Sequence, residues 1–412
     1  MLQHQVARSR SSTSSFDNHM KIHYFNPGHE TAVHNGSPYY TVPANIATMQ
    51  QELAFLPAWY GNKDDLVLVE KSDNYFSLLN KNIYNLPQPI TQDELTKHND
   101  SEISLWGISP QAVHYFNMLN KEYEVNLNIP KWHSEYKILN SRLNAKDCLT
   151  EIIRQIPQIQ DSIIPQFHTE LKEIDNAVRL SSVQLLAKAP YSSSGRGLLW
   201  LPISELTRTE NQILHGILKK QGSVTLERVL DKTTDFAMEF LTDGNGGIQF
   251  AGYSLFETNS KGAYESNHLD SQQNIEKELT QNISLELLDK VKQALASILR
   301  EKYAHLYKGC IGVDMMIYTD EEEYKLHPCV EINMRFNMGY LALKLFENFI
   351  TPTSHGKFCI DFNSTEGSLY EQHITMQQKY PIQYQKGKIA SGYLSLCPMN
   401  ENNKYRAYIL IN

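Results

Sequence analysis

Gly309–Arg335 reads GCIGVDMMIYTDEEEYKLHPCVEINMR, and the placement of its polar residues decides how the rest of the chain is understood. Two apolar runs flank the polar turn TDEEE, which is the pattern of a β-hairpin. Asp314 interrupts the first run, and Glu331 and Asn333 interrupt the second. Strand side chains alternate between faces, so Glu331 and Asn333 share one and Asp314 can lie across from them. Oxygen donors on neighbouring strands suit magnesium, which keeps waters and shares phosphate oxygens. Charged and amide groups inside apolar strands conflict with simple core packing. They either bind something or form a buried polar network, and the pattern alone leaves both open.

Upstream, Leu185–Trp200 reads LLAKAPYSSSGRGLLW. A lysine, Lys188, ends an apolar strand, a Ser/Gly turn follows, and a second strand begins. Small residues let backbone N–H groups approach phosphate oxygens, while Lys188 supplies a fixed positive charge. The P-loop places its lysine after the glycines and at a helix start, so this is a different device. A solvated hairpin would look the same. As a cleft residue, Lys188 is expected to contribute little to the fold.

Working outward, KIHYFN from Lys21, LVLVE from Leu66 and ISLW from Ile103 read as strands separated by helical stretches, an α/β alternation over residues 20–135. A helix carrying AKDCLTEIIRQI after Asn144, the Lys188 loop and a helix through NQILHGILKKQ make up a second unit, residues 136–228. Residues 229–412 form a third, with the hairpin DFAMEFL–TDGNGG–IQFAGYSLF, a long helix over Ile283–Tyr307, the Asp314 hairpin, a helix from Met338, and strands in GKIASGYLSL and RAYILI. Residues 1–19 are Ser- and Arg-rich without an apolar core and are expected to be a disordered tail.

The chain has 412 residues, enough for two or three domains. A net charge of -8 argues against general affinity for nucleic acid or anionic membranes. No apolar run approaches the roughly 18 residues that span a bilayer. Five cysteines without metal-ligand spacing read as free thiols in a reducing compartment, so a cytoplasmic location is expected.

Taken together, Lys146, Lys188–Gly197, Glu227–Leu230, Asp314 and Glu331–Asn333–Arg335 resemble, in order and spacing, the ATP-grasp superfamily. KAPYSSSGRG is similar to the lysine–glycine loop of biotin carboxylase, and EINMR to the metal-binding strand of biotin carboxylase and carbamoyl phosphate synthetase. The resemblance implies an ATP-grasp fold behind an N-terminal Rossmann-like domain, with 136–228 as lid and 229–412 as central subdomain. It implies that Lys146 and Lys188 contact ATP, that Ser192, Ser193, Ser194, Gly195, Arg196 and Gly197 cover the phosphates, and that Glu227, Arg228, Val229 and Leu230 meet the adenine. Asp314, Glu331 and Asn333 take the positions that hold Mg2+ (or Mn2+), Arg335 steadies charge on the reacting phosphoryl group, and Lys261 approaches the γ-phosphate. The implied reaction joins a small-molecule or peptide carboxylate to an amine, or less readily a thiol, through an acyl phosphate. A nucleotide-binding protein without ligase activity and a kinase-like phosphotransferase are the alternatives. Gly312 stands where D-alanine–D-alanine ligase has an arginine, which turns the assignment away from that enzyme. In the N-terminal unit, NPGHE at Asn26–Glu30 ends the first strand, where open α/β sheets place ligands. His29 and Glu30 are either substrate contacts or parts of an ordinary turn. Tyr39, Tyr40, Trp59 and Tyr60 read as packing.

Overall fold

The computed structural model describes residues 20–71, 79, 85–192, 195 and 197–412. The expected tail, and Ser193, Ser194 and Arg196 of the loop, lie outside the described residues. The N-terminal sheet comprises β1 (Lys21–Tyr24), β2 (Leu66–Leu68), β3 (Gln88–Ile90) and β4 (Glu102–Leu105), ordered β3-β2-β1-β4 and parallel throughout. Both faces are covered, which is why strands such as LVL read as continuous apolar runs. The helix Pro110–Glu122 starts where the Ala112 N–H donates to Ser109 Oγ at 3.2 Å, with proline in its first turn.

A second sheet contains β5 (Gln166–His168), β6 (Leu185–Lys188), β7 (Leu198–Trp200) and β8 (Val224–Arg228), ordered β5-β8-β6-β7 and antiparallel. Two helices, Leu171–Leu180 and Arg208–Gln221, cover it. Ile174, Val178, Ala187, Leu201, Leu214 and Leu226 form a small core of its own.

The largest sheet has nine antiparallel strands: β9 (Asp231–Asp243), β10 (Ile248–Thr258), β11 (Tyr264–Leu269), β12 (Lys308–Asp320), β13 (Glu323–Asn333), β14 (Gly356–Phe362), β15 (Gln383–Gln385), β16 (Lys388–Ser395) and β17 (Tyr405–Ile411), ordered β13-β12-β9-β10-β11-β14-β17-β16-β15. Both expected hairpins form. The first turns through Gly244 and Gly246 at φ +77° and +93°, a region glycine enters without Cβ strain. The long helix runs Leu285–Lys302, buries Leu288, Val291, Leu295 and Leu299, and stops short of the expected Tyr307. β11 and β14 were not legible, because YESNHL buries polar Ser266 and Asn267 and shows no apolar alternation.

The N-terminal and nine-stranded sheets share their interiors. Ile22, Leu68 and Leu105 pack in one core with Phe236, Phe240 and Val313, and Phe25, Val67 and Trp106 in another with Ile389 and Ile409. Of the aromatic group, Trp59 is fully buried and donates to the Leu396 carbonyl at 2.8 Å, Tyr60 stacks on Phe336 with ring centroids 4.5 Å apart, and Tyr39 is exposed. All five cysteines are free, and four are buried. Among the described residues no helix is long and apolar enough to cross a membrane.

Candidate functional site

The hairpin register sets the centre of the site. Asp314 pairs with Glu331 and Gly312 with Asn333, so the three oxygen-bearing side chains meet at one place on β12 and β13. Asn333 Nδ2 donates to Asp314 Oδ2 at 3.0 Å, and Glu331 accepts from Arg142 Nη2 at 2.9 Å. Burial, then the neighbouring Glu331 and Glu239 charges, push the Asp314 carboxyl up to about 8. Arg335 offsets part of this, but among the described residues no cation is bonded to the Asp314 carboxylate. Among the described residues no group of three or more His, Cys, Asp or Glu gathers as a metal site. The donors are two carboxylates and an amide, which fit a divalent cation that takes its other ligands from phosphate and water.

Arg335 follows directly. Its Nη2 donates to Asn333 Oδ1 at 3.0 Å, its Nη1 to the Phe336 carbonyl at 3.1 Å, and its Nε to Glu30 Oε1. Glu30 thus touches Arg335; burial is the largest single effect on its carboxyl and raises it, but the Arg335 charge and hydrogen bond, with the neighbouring His29 and backbone, together hold it below the usual range. His29 is fully buried, bonded at Nε2 to the Ile108 carbonyl at 3.1 Å, with burial pulling its ring down to about 4. Its ring leaves no space beside Gly107, where a Cβ would stand 2.4 Å from it. Asn26 brackets Gly107, donating to its carbonyl at 2.8 Å and accepting its N–H at 3.1 Å. The NPGHE turn is therefore a buried joint that reaches the hairpin.

A cleft of about 400 Å³ lies between the lid sheet and this hairpin. Its apolar wall includes Leu186, Trp200, Met315 and Val330, and its polar wall includes Lys188, Glu227, Asp314 and Glu331. Lys188 is 4% exposed and its Nζ lies 2.5 Å from Glu227 Oε2. That corrects the expectation of an exposed cleft lysine without structural weight, because β6 and β8 bring the two side chains together. Arg228, Val229 and Leu230 line the same cleft, yet the Arg228 side chain pairs with Asp320 at 2.6 Å and the Val229 N–H already donates to the Gln184 carbonyl at 3.0 Å.

Of the loop after β6, Gly195 lines the cleft. Ser192 is buried and accepts from Arg142 Nη2 at 3.3 Å. Gly195, at φ +72°, lies so near the β10–β11 turn that a Cβ would stand 2.6 Å from the Gly262 carbonyl oxygen. Gly197 is also left-handed, at φ +85°. Asn259, Ser260 and Gly262 of that turn line the cleft, whereas Lys261 points to solvent. Lys146 stands apart, with its ammonium 5.5 Å from the Phe167 ring centroid.

Sequence reasoning missed Arg142. It lies one turn before Lys146, in the first turn of the helix Arg142–Gln155, which begins at the Ser141 cap, before the expected Asn144. Its Nε donates to the Ala189 carbonyl at 3.1 Å while Nη2 reaches Glu331, so it ties the loop to the hairpin. The Ser141–Arg142 helix start was the available signal. Glu239 was missed as well. It lies on β9 opposite Gly312 and lines a second chamber of about 160 Å³ beside Asp314, Asn333 and Arg335. A Cβ at Gly312 would stand 2.3 Å from Asn337 Nδ2 and 2.8 Å from Glu239 Oε2, which explains why glycine stands there.

No family model matches the sequence, and no curated protein does. Solved structures do match. The biotin carboxylase domain of 2-oxoglutarate carboxylase from Hydrogenobacter thermophilus, in complex with MgADP, ADP and bicarbonate, is similar at a TM-score of 0.51 and 10% identity, covering 95% of this chain and 86% of that one. An N5-carboxyaminoimidazole ribonucleotide synthetase in complex with ADP is similar at a TM-score of 0.50 and 8% identity, covering 96% and 92%. The chain has the ATP-grasp fold, with a Rossmann-like parallel sheet at its N-terminus. At these identities the likeness concerns architecture, and the chemistry has to be argued from the side chains.

Proposed function

We propose that the protein is an ATP-dependent ligase that activates a carboxylate as an acyl phosphate and passes the acyl group to an amine. The observation that carries this reading is the Asp314–Glu331–Asn333 set at the junction of the two chambers, with Arg335 beside it. The 400 Å³ cleft takes ATP, its base against Leu186, Trp200 and Val330 and its phosphates toward Lys188 and the Ser192–Gly197 loop. Mg2+, or Mn2+, held by Asp314, Glu331 and Asn333, supplies charge neutralisation on the phosphate oxygens. A substrate carboxylate oxygen attacks the γ-phosphorus and the bond to the β-phosphate oxygen breaks, releasing ADP. The amine nitrogen then attacks the acyl carbon, the carbon–oxygen bond to phosphate breaks, and the proton passes to solvent or the departing phosphate. Arg335, held on three sides, keeps two N–H donors for the charge that develops. Closure of the lid excludes water from the acyl phosphate.

Pools of carboxylates and amines, screened for ADP release and followed with 18O-labelled carboxylate, test this. The expected result is ADP formation that needs both partners, with one 18O recovered in inorganic phosphate. Phosphate retained on a single substrate would make the enzyme a phosphotransferase, and ATP binding without release would make it a nucleotide-binding protein.

A further inference from the structure

The second chamber contains a carboxylate that the reaction above leaves unused. Glu239 is 1% exposed and lines the chamber with Ser254, Tyr264, Asn267 and Asn337. It accepts from Asn337 Nδ2 at 2.7 Å and Ser254 Oγ at 3.1 Å, with Cys310 Sγ at 3.8 Å. Every one of these donors is neutral, and among the described residues no cation is bonded to it; the Arg335 charge acts on it from further off and less than the Asn337 and Ser254 bonds do. The guanidinium lining the chamber, Arg335, is already matched by Glu30. A buried carboxylate without a cation is costly, because neutral donors offset only part of its desolvation. Burial accordingly holds its carboxyl above the usual range.

The backbone is shaped around this group. A Cβ at Gly339 would stand 2.2 Å from Glu239 Oε1 and 2.3 Å from Ser254 Oγ, and Gly312 leaves room on the other side. Asn267 and Asn337 each accept one hydrogen bond at Oδ1, from Tyr264 Oη at 2.7 Å and the Tyr340 N–H at 2.8 Å. Each amide oxygen therefore keeps a lone pair for another donor. The 160 Å³ of space is enough for several waters or a small head group.

We propose that this chamber is a subsite for a primary ammonium group, with Glu239 matching its charge and the amide oxygens of Asn267 and Asn337 accepting its other N–H donors. In the ligase, it holds the amine substrate as its ammonium; one proton passes to solvent to free the lone pair that attacks the acyl carbon, and the second leaves with the phosphate or to solvent as above. The catalytic sense rests on the ligase reading, whereas the preference for a cation does not.

The test is titration of 13C-methylammonium into the full chain, followed by NMR, with acetate as competitor and with and without magnesium and a non-hydrolysable ATP analogue. Methylammonium is expected to saturate the wild type, to bind at least tenfold more weakly to Glu239→Gln, and to be unaffected by acetate. Asn267→Lys, which places an ammonium inside the chamber, is expected to abolish binding and decides the matter if Glu239→Gln fails to fold. Equal binding to wild type and to folded Glu239→Gln, undiminished binding to Asn267→Lys, or displacement by acetate overturns the proposal. Methylammonium binding without ADP release from any substrate pool removes the ligase reading and keeps the cation subsite. ADP release without a methylammonium preference does the reverse.

Discussion

The lid sheet and the N-terminal sheet both pack against the nine-stranded sheet, but they are attached by different forces. The N-terminal sheet shares buried apolar cores with it, through residues such as Leu105, Val67 and Trp106. The sheet β5–β8 keeps its apolar residues to itself around Leu214, while the preceding helix Arg142–Gln155 packs Ala145, Leu149 and Ile152 into the core of the nine-stranded sheet, and polar contacts tie the small sheet to that helix and to the hairpin. Arg142 bonds the Ala189 carbonyl, Arg228 pairs with Asp320, and Tyr191 Oη donates to the Lys137 carbonyl at 3.0 Å. Water or a ligand can replace polar contacts at little net cost, whereas separating an apolar core exposes surface at about 25 cal/mol per Å². The small sheet is thus the part expected to move on nucleotide binding, and the N-terminal sheet, which holds Glu30 against Arg335, the part expected to stay.

The largest effect expected from this division falls on the fixed part. Glu331→Gln with Asn333→Ala leaves the cores intact and should lower MgATP-dependent turnover about a thousandfold. Circular dichroism should match wild type, and normal ADP release from the folded double variant would remove the metal assignment.

Leu214→Ala breaks the lid and spares the body. Truncating this fully buried leucine should destabilise the lid by about 3 kcal/mol. Hydrogen exchange should accelerate in β6–β8 while Val313 and Phe240 keep their protection. Uniform loss of protection would mean that lid and body unfold as one.

Lys188→Met sharpens the comparison, because Lys188 belongs to the lid and faces the cleft. Calorimetric titration should show ATP binding weakened about ten- to a hundredfold, since a charge-assisted phosphate contact is lost. The change also leaves the Glu227 carboxylate without its partner, so the lid should lose about 1–3 kcal/mol of stability, unlike a surface lysine. Unchanged affinity in a folded variant would take Lys188 out of the phosphate site.

The last test concerns pH. Asp314 stands near 8 in the folded protein against an ordinary 3.8, so between those values the folded state binds more protons than the unfolded chain. Stability of the metal-free protein should then fall as pH rises from about 4 to 8. Urea midpoints in chelator at either end of that range measure it, and Asp314→Asn should flatten the trend. A rising midpoint would mean that Asp314 is already charged and paired.

Much of this was legible in the chain. The apolar runs around Asp314, Glu331 and Asn333 fixed a hairpin, and strand alternation fixed which residues share its face. The Lys188 strand was equally plain, as it depends on near neighbours. What the sequence left undecided involves partners far apart along the chain. Arg142 meets Glu331 across 189 residues, and Arg335 meets Glu30 across 305. Glu239 becomes a cavity wall only because β9 lies between β10 and β12, with Gly312 and Gly339 clearing space around it. Local pattern determines backbone conformation and the face each side chain takes. Burial, ion pairing and the shape of a cavity are set by which distant segments the packed sheets bring together, so only the tertiary structure decided them.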